Sequence, residues 1–99
     1  MDYLIEQTEV FSAWLARLTD MRVRIAIARR VERVSTGNFG DMKTVGGGVS
    51  ELRIDIGPGY RVYFTRRRGV VIVLLCGGDK RRQQADIKRA QKLAKELRQ

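Results

Sequence analysis

The stretch from Glu51 to Phe64 constrains the fold more than any other part of the chain. Leu52, Ile54 and Ile56 alternate with Glu51, Arg53 and Asp55; after Gly57-Pro58-Gly59, Tyr60, Val62 and Phe64 alternate with Arg61, Tyr63 and Thr65. A period of two is that of a strand with one apolar face, and the Gly-Pro-Gly interruption is a turn, so the stretch reads as a β-hairpin. The apolar sides share a face when Ile56 stands opposite Tyr60, Ile54 opposite Val62 and Leu52 opposite Phe64. Asp55 then faces Arg61, and Arg53 faces Tyr63, on a second, polar side. A turn at Arg66-Arg67-Arg68-Gly69 leads into Val70–Cys76, whose unbroken hydrophobicity predicts a central strand covered on both sides.

Helical spacing frames this hairpin. Val10, Phe11, Trp14, Leu15 and Leu18 recur at three- and four-residue steps behind Thr8, a good N-cap. Asp20 opens a second helix with a broad stripe of Met21, Val23, Ile25, Ile27, Ala28, Val31 and Val34, and Gly37-Asn38 stops it. Asp79 caps a last helix, whose buried stripe is Ile87, Ala90, Leu93, Ala94 and Leu97. Residues 38–50 are rich in glycine and read as loop, with at most a short strand around Lys43–Val45. The expected order is α-α-β-β-β-α: an α+β fold in which an N-terminal helical hairpin packs on a small, mainly antiparallel sheet with a C-terminal helix. At 99 residues and 11.3 kDa, residues 1–99 are expected to be one domain.

The charge is large and uneven. The net charge is +9; residues 1–35 contribute only +1, so most of it lies beyond residue 35. Fifteen of the 20 basic residues are arginine, whose planar fork suits phosphate. A polyanionic partner is the expectation. The chain has no histidine and one cysteine, Cys76, which excludes a Ser-His-Asp triad, the usual zinc constellations and a disulfide framework. No cofactor or metal is expected: Gly46-Gly47-Gly48 lacks the P-loop pattern, and no GxGxxG opens a helix. The apolar run at Val70–Cys76 is too short to span a bilayer, and the acidic N-terminus does not resemble a signal peptide, so a cytoplasmic protein without membrane contact is expected.

Candidate chemistry sits on the cations. Arg53 and Arg61 share one strand face with Tyr63, a surface able to hold a phosphate and stack a base; the structural alternative for Arg61 is a salt bridge to Asp55. Lys80, Arg81 and Arg82 occupy a helix start, where the dipole disfavours cations, and together with its free N–H groups they suit an anion. Arg66-Arg67-Arg68 reads as a solvated turn, Trp14 as core and Cys76 as a small hydrophobe. On this reading Arg61 is exposed, and Arg61→Ala changes stability by no more than about 1 kcal/mol.

The segments Gly37-Asn38-Phe39-Gly40-Asp41-Met42-Lys43, Gly48-Val49-Ser50-Glu51-Leu52-Arg53, Gly57-Pro58-Gly59-Tyr60-Arg61-Val62-Tyr63-Phe64 and Leu74-Leu75-Cys76-Gly77-Gly78-Asp79-Lys80, with Gln83 and Asp86-Ile87, resemble the RelE/ParE superfamily of toxins. The likeness is greatest to the HigB-like, phage-derived addiction module killer proteins, and with the helical hairpin it spans nearly the whole chain. The resemblance implies a metal-independent endoribonuclease that cleaves mRNA on the ribosome and is silenced by a cognate antitoxin, which can carry a helix-turn-helix. It further implies that Arg61 binds the scissile phosphate, that Lys80 or Arg81 shares this task, and that Arg53 helps activate the nucleophile. Lys43, Tyr63 and Arg82 are the expected further RNA contacts. Two features of RelE-type members are unmatched, the tyrosine of the last helix and one strand lysine. Two alternatives stay open, a ParE-like inhibitor of DNA gyrase acting by protein–protein contact and a basic RNA-binding module without catalysis.

Overall fold

The computed structural model describes residues 2–98. Its elements are β1 (Leu4–Gln7), α1 (Glu9–Arg17), α2 (Met21–Ser35), β2 (Met42–Gly46), β3 (Val49–Ile54), β4 (Tyr60–Arg67), β5 (Val71–Asp79), a 3-10 turn at Lys80–Arg82 and α3 (Gln83–Leu97). One five-stranded sheet has the order β1-β5-β4-β3-β2. All its pairings are antiparallel except β1 with β5. The α+β fold is therefore as expected, with β1 added in front of the helical hairpin. Four residues without alternation carry no strand signal, and the partner of β1 lies at Val71–Leu74, far along the chain.

The helices start and stop where their capping residues stand. The Thr8 hydroxyl accepts from the Phe11 N–H at 3.1 Å and donates to the Leu75 carbonyl at 2.6 Å, so one side chain caps α1 and ties it to β5. Asp20 accepts from the Arg22 N–H at 3.0 Å to cap α2. At the other end Gly37 takes φ +94°, with Gly37 N–H on Val34 O and Asn38 N–H on Arg33 O, a Schellman closure. Asp79 accepts from the Arg81 N–H at 2.9 Å, so the turn it caps holds Lys80–Arg82, and α3 proper begins at Gln83.

The sheet separates two apolar layers. On one side Phe11, Val23, Ile27 and Val34 from α1 and α2 meet Leu52, Ile54, Val62, Phe64, Ile72 and Leu74. On the other, Ala90 and Ala94 of α3 meet Val49, Tyr63, Val73, Leu75 and Cys76. β5 is thus covered on both sides, as its composition predicts. A bulge at Leu75, where Tyr63 pairs with Cys76 and Phe64 with Leu74, lets Leu75 and Cys76 both serve the α3 layer.

The hairpin register differs from expectation by two residues. Ile54 pairs with Tyr60, Leu52 with Val62, Arg53 with Arg61 and Glu51 with Tyr63. Residues 55–59 form the turn, closed by Gly59 N–H on Ile56 O at 3.0 Å with Gly57 and Gly59 at positive φ. Period two fixes which face a residue takes, so the faces are as expected; the length of the turn is what displaces the partners. The second face is also not open, because α3 lies on it. At the far tip, Arg66 and Arg68 are exposed as expected, and the Arg66 guanidinium also lies 4.9 Å from the Tyr3 ring centre and 5.5 Å from that of Phe39.

Gly77 shows how tightly α1 meets the sheet. A Cβ placed there would lie 2.4 Å from the Trp14 ring, a clash that a shift of the indole or of α1 must relieve. Gly77→Ala is expected to lower stability by about 1–3 kcal/mol, read as a lower urea midpoint, whereas an unchanged midpoint would show that the indole has room to move.

A candidate anion-binding cleft

Cross-strand pairing places Arg53 of β3 directly opposite Arg61 of β4, and Arg61 opposite Gly78 of β5. The Lys80 N–H donates to the Gly59 carbonyl at 3.3 Å, docking the turn after β5 against the turn between β3 and β4. Together they enclose an open cleft of about 380 Å³ lined by Arg53, Arg61 and Lys80, by Asp41 and Asp55, and by the Gly57-Pro58-Gly59 turn. Three cations from three segments converge on a hollow with backbone turns for walls, an arrangement suited to phosphate.

Behind Arg61 lies a carboxylate that periodicity places opposite Tyr63 only in the observed register. Glu51 is 0% exposed, and its Oε2 stands 3.8 Å from Nε of Arg61, whose side chain is 14% exposed. Gln83 at the start of α3 donates to the same oxygen at 3.0 Å. The second oxygen of Glu51, Nε of Arg61 and the Tyr63 hydroxyl are buried with no hydrogen-bond partner. A buried ion pair adds little net stability, because desolvation offsets attraction, but it fixes where its members stand. Glu51 therefore holds Arg61 from behind while the arginine lines the cleft.

Arg53 is held differently. Its Nη2 and Nε meet Asp41 Oδ1 at 2.9 and 3.2 Å, both side chains being about half exposed. Such a surface pair is worth at most about 1 kcal/mol and yields readily to a competing anion. Arg30 of α2 fastens the surrounding backbone, donating to the carbonyls of Arg53, Phe39 (2.9 Å) and Asp41 (3.1 Å). Nothing in the spacing of α2 marks Arg30 for this, since its acceptors lie in loop and strand carbonyls.

The other sequence candidates are dispersed. Arg81 turns away, its Nη2 2.8 Å from Asp79 Oδ2 and its side chain 83% exposed, so of the pair Lys80 and Arg81 only Lys80 lines the cleft. The Arg81 hydrogen bond holds the Asp79 carboxyl below its usual range. Lys43 is exposed on edge strand β2, across from Glu51 and outside the cleft. Arg82 lines a separate hollow with Arg17 and Arg89. Tyr63 is 0% exposed beneath α3, which leaves it no surface on which to stack a base. Burial, then the charge of Glu51, push its hydroxyl well above the ordinary phenol range. Cys76 is buried, with its thiol pushed up to about 12 by burial, and behaves as the expected hydrophobe. Among the described residues no group of three or more cysteine, aspartate or glutamate side chains comes together to hold a metal ion, and no helix is long and apolar enough to cross a membrane.

Residues 13–98 match the family described as phage derived protein Gp49-like (DUF891). The chain belongs to that family. A protein of Haemophilus influenzae (strain ATCC 51907 / DSM 11121 / KW20 / Rd), described as uncharacterized, is 50% identical over 97 residues, covering 98% of this chain and 98% of its own. Gp49-like proteins are associated with toxin–antitoxin modules, and membership implies an antitoxin as partner.

The burial of Arg61 corrects the stability expectation. Removing it strands Glu51 as an uncompensated buried charge, so Arg61→Ala should destabilise by about 3 kcal/mol rather than 1. Glu51→Gln, which strands the arginine instead, should lower the unfolding free energy by a similar amount, about 3 kcal/mol. Denaturant titrations showing either variant within experimental error of wild type would mean that the pair is not coupled.

Proposed function

We propose that the chain is the toxin of a type II toxin–antitoxin module and that it acts as a ribosome-dependent mRNA endoribonuclease, a HigB-like member of the RelE/ParE superfamily. The observation that carries this reading is the convergence of Arg53, Arg61 and Lys80 on one open cleft, with Arg61 braced by the buried Glu51. Family membership supports the toxin reading. The +9 charge suits both an RNA substrate and an acidic antitoxin, which should associate fast and in a salt-sensitive manner.

In this mechanism the RNA supplies its own nucleophile. The 2′-hydroxyl attacks the adjacent phosphorus, the bond to the 5′-oxygen of the next nucleotide breaks, and a 2′,3′-cyclic phosphate and a 5′-hydroxyl result. Negative charge grows on the non-bridging oxygens, where the guanidinium of Arg61 and the ammonium of Lys80 stabilise it in a preorganised position. Arg53, released from Asp41, holds the phosphate from the facing strand. Asp41 and Asp55 are the carboxylates at hand in the cleft to accept the 2′-hydroxyl proton, and water in the open cleft gives the leaving 5′-oxygen the proton that makes it a hydroxyl.

Mapping message ends after incubation of the purified chain with translating ribosomes tests the reading. Upstream fragments should carry a 2′,3′-cyclic or 3′-phosphate, and Arg61→Lys, which keeps the charge opposite Glu51 but loses the fork, should slow cleavage about 100-fold. Intact message, or a 3′-hydroxyl on the upstream fragment, would overturn it; intact message with trapped gyrase–DNA complexes would install the ParE-like alternative.

A further inference from the structure

β1 ends at Gln7, opposite Leu74, so the last residues of β5 have no strand beside them on that side. A second hollow, of about 180 Å³, lies there, lined by Asp79, the residue next in the chain to the Lys80 that lines the first. Its floor is Gly77-Gly78, and both glycines are required by what flanks them. A Cβ on Gly77 would lie 2.4 Å from the Trp14 ring, and one on Gly78 would lie 2.0 Å from Asp86 Oδ2. An indole from α1 and a carboxylate from α3 thus form two walls of a slot, and Arg17, Arg82 and Arg89 rim it.

Asp86 is the anomaly. It is 6% exposed, and its Oδ2 is buried with no hydrogen-bond partner although two arginines stand nearby. Burial raises it above the usual carboxylate range, which is what a missing partner produces. An ionised carboxylate only accepts, and is best satisfied by two N–H groups side by side. A guanidinium from a partner protein offers those, but the arginine rim repels it. Among the bases only guanine offers two adjacent donors, N1–H and N2–H, on its Watson–Crick edge, with a flat face for an aromatic wall and a phosphate for the rim.

We propose that the slot is a guanine subsite in which Asp86 accepts from N1–H and N2–H, Trp14 is the aromatic wall, and Arg17, Arg82 and Arg89 hold phosphate. This deepens the reading of the neighbouring cleft, and rests on it for RNA as the source of the base; a free guanine nucleotide is the other source of the same chemistry.

Trp14 is the sole tryptophan, so its fluorescence reports the slot directly. Titration with 5′-GMP should quench it with an affinity about tenfold tighter than AMP, CMP or UMP. Inosine 5′-monophosphate, which lacks the 2-amino group, should lose about that tenfold. Asp86→Asn should abolish the preference, and Arg82→Ala should weaken all four nucleotides alike. If Asp86→Asn does not fold, the GMP–IMP comparison on the unaltered chain still decides. Short RNAs with a single guanine or adenine separate the sources: tighter binding of the guanine RNA than of GMP assigns the base to RNA, and equal binding assigns it to the free nucleotide. Equal affinity for all four nucleotides, or for GMP and IMP, overturns the proposal. Arg61→Lys should keep the guanine preference; a chain that selects guanine but leaves ribosomal message intact retains the slot and loses the nuclease reading, and a cutting chain without the preference does the reverse.

Discussion

Everything at the working end of the molecule depends on one buried pair, Glu51 and Arg61. They lie on neighbouring strands beneath the start of α3, and Gln83 of that helix binds the carboxylate. A charge taken out of water in this way is tolerated only beside its counter-charge, so the sheet, the helix start and the cleft must assemble together. Chain turns then do the rest: Gly57-Pro58-Gly59 forms one wall, and the Lys80 N–H on Gly59 O brings the third cation to the same hollow.

The two hollows share a structural logic. Both lie at the end of the sheet where β4 begins and β5 finishes, and both join an arginine-rich margin to a buried carboxylate, Glu51 in one and Asp86 in the other. Glu51 has Arg61 and Gln83 beside one of its oxygens, whereas Asp86 has arginines nearby but no hydrogen-bond partner on Oδ2. Gly77 and Gly78 are both buried, and Trp14 and Asp86 occupy the space that their side chains would take.

Local chemistry was legible in the chain: Thr8, Asp20, Gly37 and Asp79 mark the helix boundaries, and alternation assigns Leu52, Ile54, Val62 and Phe64 to one face. What depends on distant partners was not. The five-residue turn shifts Arg61 from Asp55 to Arg53, with Glu51 beside it, a displacement of two that leaves every apolar residue on its expected face and so is invisible to periodicity. α3 converts a face that reads as polar into a buried one, and with it Tyr63 from a stacking surface into core. Of the candidate cations, Arg53, Arg61 and Lys80 converge, while Arg81 is drawn off by the same Asp79 that caps the turn. The short β1 and the bracing role of Arg30 rest on contacts too remote in sequence for any local pattern to carry.

Arg53, Arg61 and Lys80 are proposed to act together on one phosphate. The most direct measurement is the side-chain NMR spectrum of the arginine Nε–H and lysine ammonium groups during titration with a short 2′-O-methyl RNA, which binds but supplies no nucleophile. The signals of Arg53, Arg61 and Lys80 should move and saturate at one common concentration, while Arg66, stacked on Tyr3 and Phe39, stays still. An Arg61 signal that remains fixed while RNA binding saturates elsewhere would contradict it.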